Sequence, residues 1–280
     1  MVDVVRERLD RVLVDRGLVD SRERAQALIL AGVVAVEGLV ATRAAQPTAT
    51  DADIAVRARQ QYVSRGGHKL AHALDVFGLT VDGLVLADVG ASTGGFTDCV
   101  LQRGGQRMYA IDVGYGQLDW RLRQDPRVVV MERTHVRDVV TLPESIAGAV
   151  VDVSFISLRS ILGCIVPWFG TGGWLVGLVK PQFEAGRAEV GKGGVVRDPT
   201  VHERVLRDVA LGAMQLGGIV QGITPSPILG PAGNREFLVY LTFAAGREPC
   251  PETSLPLSVV TMVAAAVAEP IAPNASRHAR

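Results

Sequence analysis

Strand-like and helix-like segments alternate along the chain from residue 84 to residue 243, and this alternation limits the fold more than any other feature. Alternating β and α segments are typical of an α/β domain with a parallel sheet. We therefore predict an α/β fold for the larger part of the chain. The predicted strands are Leu84–Asp88, Arg107–Asp112, Arg127–Val130, Ala149–Asp152, Trp174–Val179, Ile219–Thr224 and Glu236–Phe243, and three of the predicted helices span 95–103, 157–166 and 199–216.

The first part of the chain has a different pattern, in which two short helices precede short strands. Residues 7–16 place apolar side chains on one helical face, and Ser21 can cap a second helix. Val33–Val36 and Ile54–Val56 are strand-like. The pattern predicts a small α+β domain at 1–59, a linker at 60–63, a large domain at 64–250, and a C-terminal helix and tail at 251–280.

The composition excludes several classes of protein. Basic and acidic residues balance at 29 each, so only local patches of arginine could attract nucleic acid. Cys99, Cys164 and Cys250 include no C-x-x-C pair, and we predict neither a disulfide framework nor a metal site. The start lacks a secretory signal, and the apolar run 161–179 contains Pro167 and five glycines. We therefore expect a cytoplasmic protein without a membrane span, and a monomer by default.

Lysine is rare in this chain, because only Lys69, Lys180 and Lys192 are lysines among the 29 basic residues. A lysine can lose its proton when it is buried or near other cations, whereas an arginine effectively cannot. Lys69 and Lys180 are therefore candidates for proton chemistry, although surface solubility is the ordinary role of a lysine. Lys192 lies in a glycine-rich loop and is either an RNA-phosphate contact or a solvated residue.

A glycine-rich turn follows the first predicted strand of the large domain, in the sequence DVGASTGGFTD (88–98). A Walker loop would need a lysine after Gly95, and a dinucleotide-binding turn would need G-x-G where Gly90 begins Gly-Ala-Ser. An acid before the turn and a second acid after the next strand fit S-adenosyl-L-methionine better, since its ammonium and ribose diol suit carboxylates. A glycine turn of some other α/β domain is the alternative. The predicted cofactor-binding residues are Asp88, Gly90, Ala91, Ser92, Thr93, Gly94, Gly95, Phe96, Asp112 and Val113.

Several motifs together resemble the TlyA (hemolysin A) family. They include SRGGHKL (64–70), DVGASTGGFTD (88–98), DVSFISL (152–158), LVKPQFE (178–184) and SPILGPAGNREF (226–237), and the likeness extends over about residues 6–245. The resemblance implies a Rossmann-like, FtsJ-like methyltransferase domain that uses S-adenosyl-L-methionine. It also implies an N-terminal alpha-L RNA-binding domain of the type found in a small-subunit ribosomal protein. The implied substrate is a ribose 2′-hydroxyl, expected on a cytidine, in 16S or 23S ribosomal RNA or in both.

The resemblance further implies a catalytic lysine–aspartate–lysine–glutamate set. The matching residues are Lys69, Asp152, Lys180 and Glu236. A ribose hydroxyl is a weak nucleophile and must lose its proton as it attacks a methyl group in line. We expect Lys180 to activate the hydroxyl, Asp152 to orient Lys180, and the other two residues to fix the ribose and tune the local charge. Taken singly, Asp152 could be a helix cap and Glu236 a surface strand residue.

Arginines on the first two predicted helices, beside Lys69 and after the third predicted strand are candidates for contacts with ribosomal RNA. Phosphate contacts need such charges but carry no sequence information. Acidic residues such as Asp10 and Glu23 interleave with the N-terminal arginines, so pairing on a helix surface is the alternative. The candidate RNA-binding residues are Arg8, Arg16, Arg22, Arg65, Arg133 and Arg137.

Two positions depart from the pattern of the family. The linker before SRGGHKL is Gln60-Gln61-Tyr62-Val63, where arginine and tryptophan are common. His135 stands where asparagine is usual, and it either contacts the adenine of the cofactor or is simply exposed.

Two other functions compete with methyl transfer. A membrane-active hemolysin would need an amphipathic or membrane-spanning segment, and we find none in the sequence. A silent RNA-binding assembly factor would not need Lys69, Asp152, Lys180 and Glu236 together, and all four are present.

Overall fold

The computed structural model describes residues 5–56, 61–244, 246 and 254–270. These residues form two compact units, with the boundary between Gln61 and Tyr62. This boundary falls inside the predicted linker, of which Gln60 lies outside the described residues. Tyr62 is buried at the start of the larger unit, so a part of the predicted linker belongs to a folded core.

The described residues of the smaller unit form two helices and five short strands: β1 Arg6–Arg8, α1 Leu9–Asp15, α2 Arg22–Leu30, β2 Val34–Val36, β3 Leu39–Val40, β4 Pro47–Ala49 and β5 Ile54–Val56. The Ser21 hydroxyl accepts a hydrogen bond from the Arg24 amide and caps α2, as predicted. The first helix begins at Leu9 rather than at residue 7, because Arg6–Arg8 pairs with β4. Strand β2 lies between β3 and β5, and neither β3 nor β4 was predicted.

The larger unit carries the alternating elements. They are α3 Gly66–Phe77, β6 Val85–Val89, α4 Gly95–Gln102, β7 Arg107–Ile111, α5 Trp120–Gln124, β8 Val128–Met131, β9 Gly148–Val151, α6 Arg159–Ile165, β10 Gly172–Val179, α7 Pro181–Glu184, α8 Pro199–Met214, β11 Gly218–Pro225, β12 Phe237–Ala244 and α9 Leu257–Ala268. Short 3-10 helices span Val136–Asp138, Val166–Phe169 and Arg187–Glu189. Helix α3 was not predicted.

Seven strands of this unit form one sheet in the order β11-β12-β10-β9-β6-β7-β8. Strands β6 to β10 pair in parallel, and β12 is antiparallel to β10 and β11. The predicted α/β fold is therefore confirmed, but the sheet is only partly parallel, because β12 runs against both of its neighbours. The chain order reverses between β6 and β9, and ligands of such sheets bind at the carboxyl ends of the strands where this reversal occurs.

Apolar side chains fill both faces of the sheet, because successive residues of a strand point to opposite sides. Leu86 belongs to a cluster with α3 and α4, whereas its neighbour Ala87 belongs to the cluster with α6, α8 and α9. Val263 of α9 is fully buried against this second face. Within the described part of the chain, no helix combines the length and the apolar character that a bilayer span requires.

Candidate active site

A cavity of about 540 Å³ opens at the carboxyl ends of β6, β7 and β9, where the strand order reverses. Its volume lies in the usual range for a small-molecule site. The wall includes Gly90 and Ser92 after β6, Asp112 and Val113 after β7, and the segment 152–156 after β9. The two motifs that were predicted to bind the cofactor, DVGASTGGFTD and DVG, thus contribute residues to the wall of this cavity.

The glycine turn brings backbone close to the end of β9. Gly90 has a φ of +85°, and a Cβ atom there would lie 2.5 Å from the backbone oxygen of Asp152. Gly94 has a φ of +93°, and a Cβ atom would lie 2.2 Å from Leu122 Cδ1. A larger residue would be both strained and in collision at either position. The turn therefore needs glycine for its shape.

Asp112 is held firmly at the cavity wall. Its Oδ2 accepts a hydrogen bond of 2.8 Å from the Ser92 amide, and its Oδ1 accepts one of 2.6 Å from the Gly114 amide. An ionised carboxylate has about four acceptor positions, so two backbone bonds leave room for a diol. Asp112 thus keeps free acceptor positions at the cavity wall.

Asp88 lies beneath the turn and does not line the cavity. Its Oδ2 accepts hydrogen bonds of 3.0 Å from the Thr97 amide and 2.7 Å from the Thr97 hydroxyl. Its Oδ1 is buried and has no hydrogen-bond partner among the described residues. Burial raises the pKa of Asp88 to about 7, against the opposing effect of the Thr97 hydrogen bonds.

The ten predicted cofactor residues are therefore divided between cavity wall and support. Gly90, Ser92, Asp112 and Val113 line the cavity, and Ala91 lines a small adjoining pocket. Phe96 is buried in the core. Asp88, Thr93, Gly94 and Gly95 do not line the larger cavity.

Lys180 meets Asp152 at the same edge of the sheet. The Lys180 Nζ lies 2.6 Å from Asp152 Oδ1 and donates a hydrogen bond of 2.9 Å to the Ser154 hydroxyl. Lys180 directly follows β10, and Asp152 directly follows β9, which is parallel to β10. Parallel strands end at one edge, so the topology itself joins these two residues.

Lys69 and Glu236 form a second, more deeply buried pair. The Lys69 Nζ lies 2.5 Å from Glu236 Oε2, and the side chains are only 8% and 1% exposed. Glu236 Oε1 is buried without a hydrogen-bond partner among the described residues. The alternative of a surface strand residue is therefore wrong for Glu236.

The two pairs share an edge of the sheet. Val179 pairs with Phe237 at the end of the antiparallel β10–β12 ladder. Lys180 and Glu236 are the next residues beyond this last pair, one on each strand. The antiparallel strand thus brings a carboxylate from late in the chain to the edge where the parallel strands end.

Several residues near this edge escaped the sequence analysis. Ser154 and Phe155 line the cavity, and the Phe155 side chain is 91% exposed with a φ of +65°. The Phe155 and Phe183 rings lie 5.0 Å apart. Their place in the motifs DVSFISL and LVKPQFE, beside Asp152 and Lys180, was the signal that could have identified them.

Glu184 also belongs to this neighbourhood and was not singled out from the sequence. Its Oε2 accepts a hydrogen bond of 2.5 Å from the Ser157 hydroxyl, and its Oε1 accepts one of 2.6 Å from the Leu158 amide. Burial raises the pKa of Glu184 above its ordinary value.

The candidate RNA-binding arginines have different surroundings. Arg8 and Arg22 bond to the buried Asp10 carboxylate, yet their side chains remain 45% and 46% exposed. Arg16 donates to the Ala52 carbonyl and Arg65 to the Leu229 carbonyl. The last two candidates are both exposed residues. The Arg133 guanidinium carbon lies 4.1 Å from the Tyr115 ring centroid, and Arg137 belongs to the short 3-10 helix Val136–Asp138 after β8.

His135 is a wall residue of the cavity, so simple exposure does not describe it. Its Nδ1 accepts a hydrogen bond of 3.1 Å from the Arg137 amide. This bond leaves only Nε2 for a ligand.

Comparisons with known proteins agree with this architecture. The pattern of FtsJ-like methyltransferases matches residues 62–243, and that of the S4 domain matches residues 7–50. The chain is 46% identical over 242 residues to the 16S/23S rRNA (cytidine-2′-O)-methyltransferase TlyA of Mycobacterium tuberculosis, covering 84% of this chain and 90% of the relative. It is 40% identical over 236 residues to Hemolysin A of Brachyspira hyodysenteriae, covering 83% and 98%. A solved structure of a hemolysin-like protein from Streptococcus thermophilus has a TM-score of 0.68 and 40% identity, covering 94% of this chain and 96% of that chain.

The sheet order, the cavity at its reversal point and the family pattern define a Rossmann-like methyltransferase domain, which follows an S4 domain. The chain belongs to the TlyA (hemolysin A) family of FtsJ-like methyltransferases.

Proposed function

We propose that this protein transfers a methyl group from S-adenosyl-L-methionine to the 2′-hydroxyl of a cytidine ribose in ribosomal RNA, in 16S, 23S or both. The observation that carries the proposal is the position of Asp152, which lines the cavity and pairs with Lys180. Asp152 thus holds Lys180, a group that can activate a hydroxyl, next to the wall of a small-molecule site.

The residues of the cavity fit the cofactor. Asp112 has acceptor positions for a ribose diol, and the turn at Gly90 has no side chain that would fill the space. Val113 and Ile156 supply apolar wall for an adenine. When bound, S-adenosyl-L-methionine supplies an electrophilic methyl group on a sulfonium.

Lys180 acts on the attacking oxygen. Its Nζ, in the neutral form, accepts the proton of the 2′-hydroxyl, and the Asp152 carboxylate stabilises the ammonium that results. Ser154 accepts a hydrogen bond from the same Nζ and fixes its direction. The buried Lys69–Glu236 pair fixes the ribose and tunes the charge at this edge.

Ribosomal RNA is supported as the substrate by the S4 domain and by the name of the Mycobacterium tuberculosis relative. The exposed arginines Arg8, Arg22, Arg133 and Arg137 offer guanidinium groups to phosphates. Such charges position a structured RNA, whose shape and 2′-hydroxyls are the features that proteins read.

The test measures transfer of labelled methyl from S-adenosyl-L-methionine to 16S and 23S RNA in isolated subunits, with mapping of 2′-O-methylated nucleotides. We expect a labelled cytidine with the wild type and none with Lys180→Ala. Label on a base, or equal labelling by the variant, contradicts the proposal.

A membrane-active function is the second candidate, since the Brachyspira hyodysenteriae relative is named Hemolysin A. Leakage of dye from liposomes tests it directly. Leakage caused equally by the wild type and by Lys180→Ala, without RNA methylation by either, would favour this candidate.

A further inference from the structure

Two segments beside the Lys180–Asp152 pair contact each other at three successive places. The loop segment is 152–158, after β9, and the lysine segment is 180–184, after β10. Lys180 contacts Asp152 and Ser154, the Phe183 ring lies 5.0 Å from Phe155, and Glu184 bonds to Ser157 and Leu158. The contacts follow the same order in both segments, so the two are held together at both ends.

The middle of the loop segment has an unfavourable backbone. Phe155 has a φ of +65°, in the left-handed region that bulky residues rarely adopt. Its side chain is 91% exposed, so burial of the ring does not fix this conformation. A strained residue persists only where the surrounding structure over-determines it. The fixed points must therefore be the contacts on either side of Phe155.

Glu184 is the fixed point on the far side of Phe155 from Lys180. Both of its carboxylate oxygens accept hydrogen bonds from the loop segment, 2.5 Å from the Ser157 hydroxyl and 2.6 Å from the Leu158 amide. No ion pair found within the described residues includes Glu184. Among the described residues, the side-chain hydrogen bonds of Glu184 thus go to this loop segment.

We propose that Glu184 is a positioning residue of the active site, which holds the loop segment so that Asp152 and Ser154 meet Lys180. The inference rests on the proposed function for its kinetic consequence and on the geometry alone for its structural one. Glu184 itself contacts Ser157 and Leu158, and it acts on the proposed reacting groups only by holding the loop segment in place.

Without the two hydrogen bonds to Glu184, the backbone of Phe155 is free to leave the left-handed region. Asp152 and Ser154 then lose their fixed places against the Lys180 Nζ. A displacement of about 1 Å in a catalytic group costs roughly 100-fold in rate. We expect Glu184→Ala to lower kcat by roughly 10- to 100-fold and to change the KM for RNA by less than about threefold.

The conservative variant separates position from charge. In Glu184→Gln the amide oxygen still accepts from the Leu158 amide, and the amide nitrogen can donate to the Ser157 hydroxyl. We expect its kcat to stay within about threefold of the wild type. Ser157→Ala removes only one bond and has a smaller effect than Glu184→Ala. The double variant Ser157→Ala/Glu184→Ala is no worse than Glu184→Ala, because the two residues form one contact.

Glu203→Ala is the matched control. Glu203 lies on α8 and pairs with Arg207 at 3.5 Å, with both side chains well exposed. It removes a carboxylate of the same kind from a helix surface, and we expect its kcat to equal that of the wild type.

Hydrogen–deuterium exchange supplies a readout that does not depend on activity. We expect Glu184→Ala to speed exchange in residues 154–158 while β6, β7 and β9 keep the protection of the wild type, and Glu184→Gln to restore slow exchange. A wild type without RNA methylation would refute the proposed function, and the exchange data alone would then decide the positioning role. Unchanged exchange in 154–158, unchanged kcat in an active Glu184→Ala, or faster exchange throughout the sheet would each overturn it.

Discussion

The Lys69 Nζ lies 2.5 Å from Glu236 Oε2, although the two residues are 167 positions apart in the chain. Both side chains are almost excluded from water. The pair joins α3 to the residue that precedes β12, so it links the first helix of the methyltransferase domain to the last strand of its sheet. A contact of this kind has consequences for stability as well as for catalysis.

We expect Lys69→Met to lower the free energy of unfolding by about 3–5 kcal/mol, because it leaves the Glu236 carboxylate buried without its partner. The double variant Lys69→Met/Glu236→Leu should recover most of this loss, since no buried charge remains. Urea denaturation measures both values. Methyl transfer should stay absent in the double variant, and recovery of activity together with stability would show that the pair is structural only. Arg204→Ala, which breaks exposed ion pairs, should change stability by less than about 1 kcal/mol.

Lys180→Arg tests the role of the amine as a proton acceptor. The guanidinium can keep an ion pair with Asp152, but it does not release its proton in proteins. We expect kcat to fall by about 100-fold or more, with the Kd for S-adenosyl-L-methionine changed by less than about twofold. Single-turnover methyl transfer and calorimetric titration measure the two quantities. A variant with more than a tenth of the wild-type rate would argue against proton transfer to Lys180.

Asp112→Ala should weaken the binding of S-adenosyl-L-methionine. The variant loses the acceptor for a ribose diol and leaves the Ser92 and Gly114 amides without their bonds. We expect a Kd raised by roughly 10- to 100-fold, from the usual cost of such unpaired groups. Asp125→Ala, at a carboxylate that bonds Arg127 away from the cavity, is the control and should bind as the wild type does. Equal affinities in the two variants would remove Asp112 from the cofactor site.

Asp88 should make the stability of the protein depend on pH. Its folded pKa is about 7, above the ordinary value of 3.8. Between these two pH values the folded protein binds more protons than the unfolded one, so its free energy of unfolding falls as pH rises. The contribution of Asp88 to stability is therefore fully present below about pH 4 and is lost as pH rises towards 7. Asp88→Asn removes this loss. Its stability relative to the wild type should therefore rise with pH, by up to about 1.4 kcal/mol per pH unit, in urea denaturation from about pH 5 to about pH 8. A constant difference would contradict the prediction.

Arg137→Ala should weaken binding to ribosomal RNA without regard to sequence. Arg137 is an exposed residue of the short 3-10 helix Val136–Asp138, next to His135 of the cavity wall. The loss of one phosphate contact should reduce the slope of log affinity against log salt by about 1. Filter binding at several salt concentrations measures this slope. Arg204→Ala, whose guanidinium is paired with Glu189 and Asp208, should leave the slope unchanged.

The sequence predicted the sheet well because its central strands β6, β9 and β10 are largely buried and consist mostly of apolar residues. The seven strand positions agree with the structure to within one or two residues. Helix α3 was missed because its most distinctive residues were read as a chemical motif around Lys69. Strands β3 and β4 were missed because Leu39–Val40 and Pro47–Ala49 are too short to show a period of two.

The candidate site was only partly readable. Asp152 and Lys180 could be placed at strand ends by their position after apolar runs, and the structure joins them at 2.6 Å. The burial of Glu236 could not be foreseen, since a single acidic residue at the start of a strand has no periodicity. Asp88 reads as a ligand residue, but its hydrogen bonds to Thr97 turn it towards α4, and that choice depends on the three-dimensional shape of the turn.

Strand β12 is inserted between β10 and β11, so the last strand of the described residues to leave the ribosome is an inner strand of the sheet. Until residues 236–244 have been synthesised, β10 keeps an open edge and the Lys69 ammonium lacks its counter-ion. Exposed edges of this kind invite pairing with other chains. We therefore expect a product released before these residues to be prone to aggregation and to lack methyl transfer.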